Sequence, residues 1–190
     1  IGADGDPNSP GGLMAIGTAS ERIKFTSAGA TPSYNDWDGI YFGDYANDGK
    51  CLLKYCDVLY GGHATANIYL HDASPQLNYC RIMHGGGNNI YVDGDSAPAI
   101  EDCEIAYSTS YGIQVTNNAE VEIRDSNVHN NSSYGVYING TSYAKLYDST
   151  FAYNNYGVYC NNNYDNALIR RCSFNNNENY PIRIYASKVY

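Results

Sequence analysis

A small residue recurs at positions 56, 80, 103, 126, 149 and 172, at spacings of 24, 23, 23, 23 and 23. Each sits in the same six-residue frame of apolar, two polar, small, polar and apolar residues. The copies run from Leu53 to Val58, Leu77 to Ile82, Ile100 to Ile105, Ile123 to Val128, Leu146 to Phe151 and Ile169 to Phe174. A register held over so many periods is a structural repeat, and it confines the chain to folds in which like units stack. After each copy come a polar turn and a short alternating stretch: Ile68 to Leu70, Ile90 to Val92, Ile113 to Val115, Val136 to Ile138, Val158 to Cys160 and Ile182 to Ile184. Strict alternation belongs to strands with one buried face. The unit therefore reads as strand, turn, strand, turn.

A unit of about 23 residues cannot bury its apolar face alone, but stacked coils form parallel sheets around a continuous core. The expected fold is all-β, a parallel β-helix of roughly seven coils. Residues 13 to 50 extend it less regularly, through the pairs Leu13 and Ala15, Ile23 and Phe25, and Ile40 and Phe42. One domain over 1–190 is expected, with irregular coils over 1–50 and regular ones over 51–190. At about 4.8 Å per coil the core would be on the order of 34 Å long.

Composition narrows the function classes. Charged residues are 16% of the chain, hydrophobic ones 43%, and mean hydropathy is −0.46, so neutral polar residues supply the hydrophilicity, chiefly 23 Asn and 21 Tyr. No run approaches the roughly 18 apolar residues of a bilayer helix, so membrane insertion is not expected. A net charge of −9 argues against a general grip on phosphate backbones, and no nucleic-acid partner is expected. The chain begins at Ile1 with no targeting segment before it, which reads as a processed product.

Gly17 to Ser27, Asp36-Trp37-Asp38-Gly39-Ile40, and the Ile-x-x-Cys-x-Ile coils with Tyr-Gly-Ile or Tyr-Gly-Val turns together resemble right-handed parallel β-helix proteins of the pectate-lyase-like superfamily. The resemblance covers nearly the whole chain and implies the handedness. It implies no single activity, because the superfamily spans polysaccharide lyases and hydrolases, phage tailspikes, adhesins and non-catalytic scaffolds.

Six cysteines admit two readings. Cys56, Cys80, Cys103 and Cys172 share an interior column with Ser126 and Ser149, Cys160 falls among Leu70, Val92, Val115 and Ile138, and Cys51 aligns with Pro75, Pro98 and Val121. Buried thiols suit those columns, and a bond between stacked neighbours such as Cys56 and Cys80 is the alternative. Without paired tetrahedral spacing they do not suit zinc.

Tyr111, Tyr134, Tyr156 and Tyr180 precede Gly112, Gly135, Gly157 and Pro181 and are expected to stack as one ladder. Asn130, Asn154, Asn155, Asn175 and Asn176 lie in the opposite turn, where amides can bond from coil to coil. Tyr69, Tyr91, Tyr137 and Tyr159 form an outward column interrupted by Gln114, which either braces the sheet or binds a polysaccharide or protein partner.

Asp102, Asp125 and Asp148 are in register in adjacent coils. They either hold Ca²⁺, as the acidic sites of the superfamily's pectate lyases do, or cap the turn before the small residue. Asp4-Gly5-Asp6 and Asp93-Gly94-Asp95 are weaker acidic candidates, and no other cofactor is implied. Asp57, Arg81 and Glu104 read as a surface ion-pair ladder. His63, His71, His84 and His129 read as turn residues rather than general bases. Arg22-Ile23-Lys24 matches the letters of a polygalacturonase motif, but precedes every other candidate, and the paired Asp and Gly-His-Gly elements of those enzymes are missing. No catalytic residue is assigned. Asn130, Asn131 and Asn139 begin glycosylation triplets, which suits an extracellular or cell-surface location.

Neither end carries an amphipathic capping helix. Residues 1 to 48 hold seven acids and two bases, whereas 168 to 190 hold Arg170, Arg171, Arg183 and Lys188 against Glu178. Oppositely charged, uncapped ends predict head-to-tail self-assembly into a filament. Leu13, Ile23 and Phe25 would meet Ile182, Ile184 and Val189, steered by those four cations. A carbohydrate-binding or polysaccharide-degrading module and an adhesin fragment are the alternatives.

Overall fold

The computed structural model describes residues 1–2, 10–62, 65–161 and 167–185. They form three seven-stranded sheets, each holding one strand from every coil, with all pairs parallel. The second coil shows the plan: Leu52–Lys54 lies in the first sheet, Cys56–Leu59 in the second and Ala66–His71 in the third. A single short 3-10 turn, Asp48–Lys50, is the only helical element among the described residues.

Each six-residue frame is two strands rather than one, because a left-handed residue divides it. Tyr55, Tyr79, Asp102, Asp125, Asp148 and Arg171 all have φ between 47 and 55°. A side chain in that region costs about 1–2 kcal/mol, and the surrounding ladder offsets it. Tyr79 N–H donates to Glu101 O at 2.9 Å and Asp148 N–H to Arg170 O at 3.0 Å, so coil-to-coil bonding continues through the bend. Tyr60, His84, Tyr107, Asn130, Tyr153 and Asn176 turn a second corner with the same sign of φ. The inward residues step by three across the bend, from Leu53 to Cys56, and by two after it, to Val58, so the frame passes for one stretch, and the sequence therefore suggested two strands per coil where there are three.

The inward positions agree with the repeat. Leu53, Leu77, Ile100, Ile123 and Leu146 stack in the first sheet and are at most 1% exposed. Val58, Ile82, Ile105, Val128 and Phe151 do so in the second, and Ile68, Ile90, Ile113, Val136 and Val158 in the third. Burying each such side chain contributes about 1.5–3 kcal/mol. The stretch that looked irregular completes the first coil, with strands Met14–Ile16, Ile23–Phe25 and Ile40–Phe42.

The small-residue column caps the first corner from inside. The Cys80 thiol donates to Leu53 O at 3.3 Å, while its N–H donates to Cys103 Sγ at 3.3 Å. Ser126 Oγ accepts from Cys103 N–H at 3.1 Å and donates to Arg124 O at 2.6 Å. Thiol and hydroxyl are interchangeable there, since the column needs one small group that donates and accepts. All six cysteines are free thiols, five of them buried and Cys172 half-buried.

A second polar line runs through the interior at the other corner. Asn67 Nδ2 donates to Asn89 Oδ1 at 2.9 Å, Asn89 to Asn131 at 3.1 Å, Asn131 to Asn154 at 3.1 Å and Asn154 to Asn177 at 3.4 Å. The amides come from two sequence positions. In the early coils Asn67 and Asn89, at the start of the third-sheet strand, reach back over Gly61 and Gly85. In later coils Asn131 and Asn154 stand on the corner, and Gly135 and Gly157 occupy the strand.

Candidate functional site

The first corner carries the chemistry-bearing side chains on its outside, because a left-handed residue points away from the core. Its column reads Tyr55, Tyr79, Asp102, Asp125, Asp148, Arg171 from coil to coil. Tyr55 and Tyr79 stack at 4.7 Å, 16° from parallel. Arg22 crosses from the first coil and clamps the corner, with Nε 2.5 Å from Asp57 Oδ1 and Nη2 donating to Cys56 O at 3.0 Å and Tyr79 O at 2.6 Å. The letters resembling a polygalacturonase motif thus include a structural arginine.

The three aspartates do not converge on a cation site. Asp148 accepts both Nε and Nη2 of Arg171, at 2.5 and 2.7 Å, which holds its carboxyl below the ordinary value. The Asp102 carboxylate beside Tyr79 pushes the phenol's pKa up. Among the described residues, only Asp44, His71 and Asp72 bring three ligand atoms within 4.8 Å of one another. Of the three aspartates expected to hold calcium, Asp148 already has a protein donor, and all three are exposed along the stack. An open groove beside them is lined by Tyr79, Arg81, Asp102, Glu104, Asp125 and Asn127, among others. Arg81 stands 3.8 Å from Glu104, and Asp57 is buried against Arg22, so the proposed surface ladder is an ion pair at each end rather than a continuous row.

The two tyrosine columns merge into one plate on the third sheet. Tyr111 stacks on Tyr134 at 5.0 Å and on Tyr137 at 5.1 Å, and Tyr134 stacks on Tyr159 at 4.9 Å. Gln114 replaces a ring and accepts from Asn88 Nδ2 at 2.9 Å. Nearer the start, Tyr69 meets Tyr41 and Tyr91 edge to face, at 5.1 and 5.0 Å. Ring faces are spent largely on neighbouring rings, which leaves few of them to stack on a sugar.

Asn131 is 2% exposed with its amide inside the interior ladder, so the folded coil has no room for a glycan there and that site is withdrawn. Asn130 is exposed and Asn139 half-buried.

Among the described residues, the last coil is covered on one side only. Ile182 and Ile184 are 38% and 67% exposed, whereas Val158 and Cys160, their equivalents one coil earlier, are 0% and 2%. Leu13, Ile23 and Phe25 of the first coil are half-buried against the core. Part of that edge is occupied by the chain itself: the Ile1 ammonium donates to Tyr41 O at 2.6 Å and Gly43 N–H to Ile1 O at 2.9 Å. Of the expected steering cations, Arg171 is held by Asp148, and Arg183 lies 5.5–5.8 Å from the rings of Tyr156, Tyr159 and Tyr180. Arg170 is exposed. Lys188 and Val189 fall outside the described residues, as do His63, Asp4 and Asp6.

The family model for the right handed beta helix region matches residues 66–189. The chain belongs to the right-handed β-helix family. This accords with the resemblance to the pectate-lyase-like superfamily and with the strong right-handed preference of parallel crossovers. No curated protein and no solved structure matches the chain.

In this β-helix, sequence reasoning missed the grouping of Asp44, His71 and Asp72. Asp44 and Asp72 each follow by two residues a paired position, Phe42 opposite Leu70, and the shared offset was the available signal. The first-coil strand had to be placed in register before it could be used.

Proposed function

We propose that this β-helix is a structural protein of the cell exterior that assembles head to tail, the last coil of one copy receiving the first coil of the next. The observation that carries this reading is the uncovered pair Ile182 and Ile184, continuing a column that is dry in every preceding regular coil. A strand edge beside such a column is a template for another parallel strand. Charge favours a second copy as occupant, because residues 1 to 48 carry 2 bases and 7 acids, a net of 2 − 7 = −5, and residues 168 to 190 carry 4 bases and 1 acid, a net of 4 − 1 = +3. Ile1 and Gly2 lie along the first coil's third-sheet edge, and they would meet Ile182 and Ile184 of the preceding copy there. Light scattering across a concentration series, with electron microscopy of the untagged protein, tests it. Filaments that disappear in Ile184→Asp while the circular dichroism is retained support the reading, and a monomer at every concentration overturns it.

A second reading, polysaccharide binding, rests on the groove beside Tyr79, whose ring is 39% exposed above Asp102 and Asp125. Aromatic faces beside carboxylates suit a sugar. Loss of glycan retention in Tyr79→Ala, with the oligomeric state unchanged, would favour it over assembly.

A further inference from the structure

We propose that Asp44, His71 and Asp72 form a divalent transition-metal site, of which Zn²⁺ is the representative ion, tying the first coil to the second. The assignment starts from the imidazole. His71 ends the strand Ala66–His71, and its Nδ1 lies 3.1 Å from Oδ2 of Asp93, its paired residue in the next coil. Asp93 is 8% exposed and accepts from Asn117 Nδ2 at 2.6 Å and from the Tyr69 hydroxyl at 3.2 Å. A carboxylate so held accepts from His71 as well, leaving the proton on Nδ1 and the lone pair on Nε2.

That lone pair faces Asp72. Nε2 is 3.5 Å from Asp72 Oδ2, and the other oxygen of the same carboxylate accepts Asp95 N–H at 2.7 Å, which fixes its orientation. With the imidazole neutral, two acceptors confront one another, and a cation between them resolves the conflict. Tetrahedral zinc with bonds of about 2.0–2.1 Å sets its ligands about 3.3–3.4 Å apart, close to the observed separation. Asp44 supplies the third ligand atom, within 4.8 Å of the other two. Three protein ligands leave a fourth position for water.

The choice of ion follows from the donors. Calcium takes oxygen ligands, whereas an imidazole nitrogen with two carboxylates suits zinc and its neighbours in the first transition row. A buried carboxylate on the distal imidazole nitrogen is the outer-shell arrangement that orients a metal-binding histidine. Because Asp44 belongs to the first coil and His71 and Asp72 to the second, an ion there would link the least regular coil to the regular stack.

The test is a Zn²⁺ titration of the untagged protein against a chromophoric chelator, with thermal unfolding followed in parallel. One equivalent is expected to bind, and to raise the melting temperature of the wild type. His71→Ala and Asp44→Asn should each weaken binding at least tenfold and abolish the thermal shift, with the far-ultraviolet spectrum unchanged. Asp93→Asn, which touches no metal, should weaken it by about 10–100-fold. Absence of a one-equivalent site, or binding and thermal shift that survive His71→Ala, overturns the proposal. Equal competition by Ca²⁺ overturns the transition-metal assignment. None of these outcomes depends on whether the protein forms filaments.

Discussion

Gly135 lies against the amide of Asn154: a Cβ added to the glycine would stand 2.9 Å from Asn154 Nδ2 and 2.5 Å from Gly157 O. The interior ladder thus sets a rule between successive coils: where the corner of the next coil carries the asparagine, the third-sheet strand before it must begin with a residue that leaves space, as Gly112, Gly135 and Gly157 do for Asn131, Asn154 and Asn177. Gly61 with Asn67 and Gly85 with Asn89 obey the inverse arrangement. One amide per coil fills one site from either of two positions, with Ser108 the exception that the Asn89 to Asn131 bond spans.

Gly135→Ala is expected to destabilise the protein by about 1–3 kcal/mol, the range for overpacking a filled interior. Backbone stands on one side of the missing methyl and a fully engaged amide on the other, so neither can retreat cheaply. Urea unfolding measures it, and an unchanged midpoint would mean that the ladder yields.

Tyr153→Asn should stabilise, by up to about 1 kcal/mol. Tyr153 is 58% exposed at φ 53°, between Asn130 and Asn176 at the same corner, and has no ring neighbour of the kind that Tyr60, His84 and Tyr107 give one another. Asn enters the left-handed region more readily than a bulky side chain. A lower unfolding midpoint in the variant would show that the ring contributes more than its strain.

Alkali should loosen the stack through its thiols. The Cys80 thiol is pushed up to about 12, chiefly by its hydrogen bond with Cys103, and burial pushes Cys160 up to about 11. An unfolded cysteine titrates near 8.5, so between these values the folded state holds the proton more tightly than the unfolded one. The thiol contribution is whole below about pH 8.5 and is lost as pH rises through the folded values. Stability against pH, compared with a Cys80→Ser, Cys160→Ala double variant, isolates it: a decline of equal slope in both would assign the effect to tyrosines instead.

Arg171→Gln should return the Asp148 carboxyl to the ordinary range, because the guanidinium is the main cause of its depression. The pair supports the fold above the unfolded carboxyl's pKa, and that support fades as pH falls through the lower folded value. Carbon-13 titration of the Asp148 carboxyl reads the shift directly. A carboxyl that titrates identically in both proteins contradicts the pairing.

The coil count, the parallel stacking and the core columns were legible in the sequence because inward positions repeat at one period and tolerate only apolar or small residues. The division of each six-residue frame between two sheets was not. Tyr55 and Asp102 look like ordinary polar residues between strands, and nothing in their side chains announces a left-handed backbone. The Asp102, Asp125 and Asp148 register was read correctly, but alignment along a column says nothing of which donor claims each carboxylate. Arg171 claims Asp148 here. His71 was read as a turn residue because its neighbours Asp44 and Asp93 lie 27 and 22 positions away, on coils whose lengths differ. Of the interior asparagines only Asn154 was among those expected to form a ladder, and Asn67, Asn89, Asn131 and Asn177 were not, since burial of an amide is invisible until the glycine opposite it is located.

Because each coil touches only the coils before and after it, the molecule has a mechanical polarity. Pulled at Tyr185, the last described coil should peel first and expose the one before it to the same load. Each 23-residue turn would lengthen the tether by up to about 80 Å, so the protein should pay out chain in equal steps, like thread drawn from a spool.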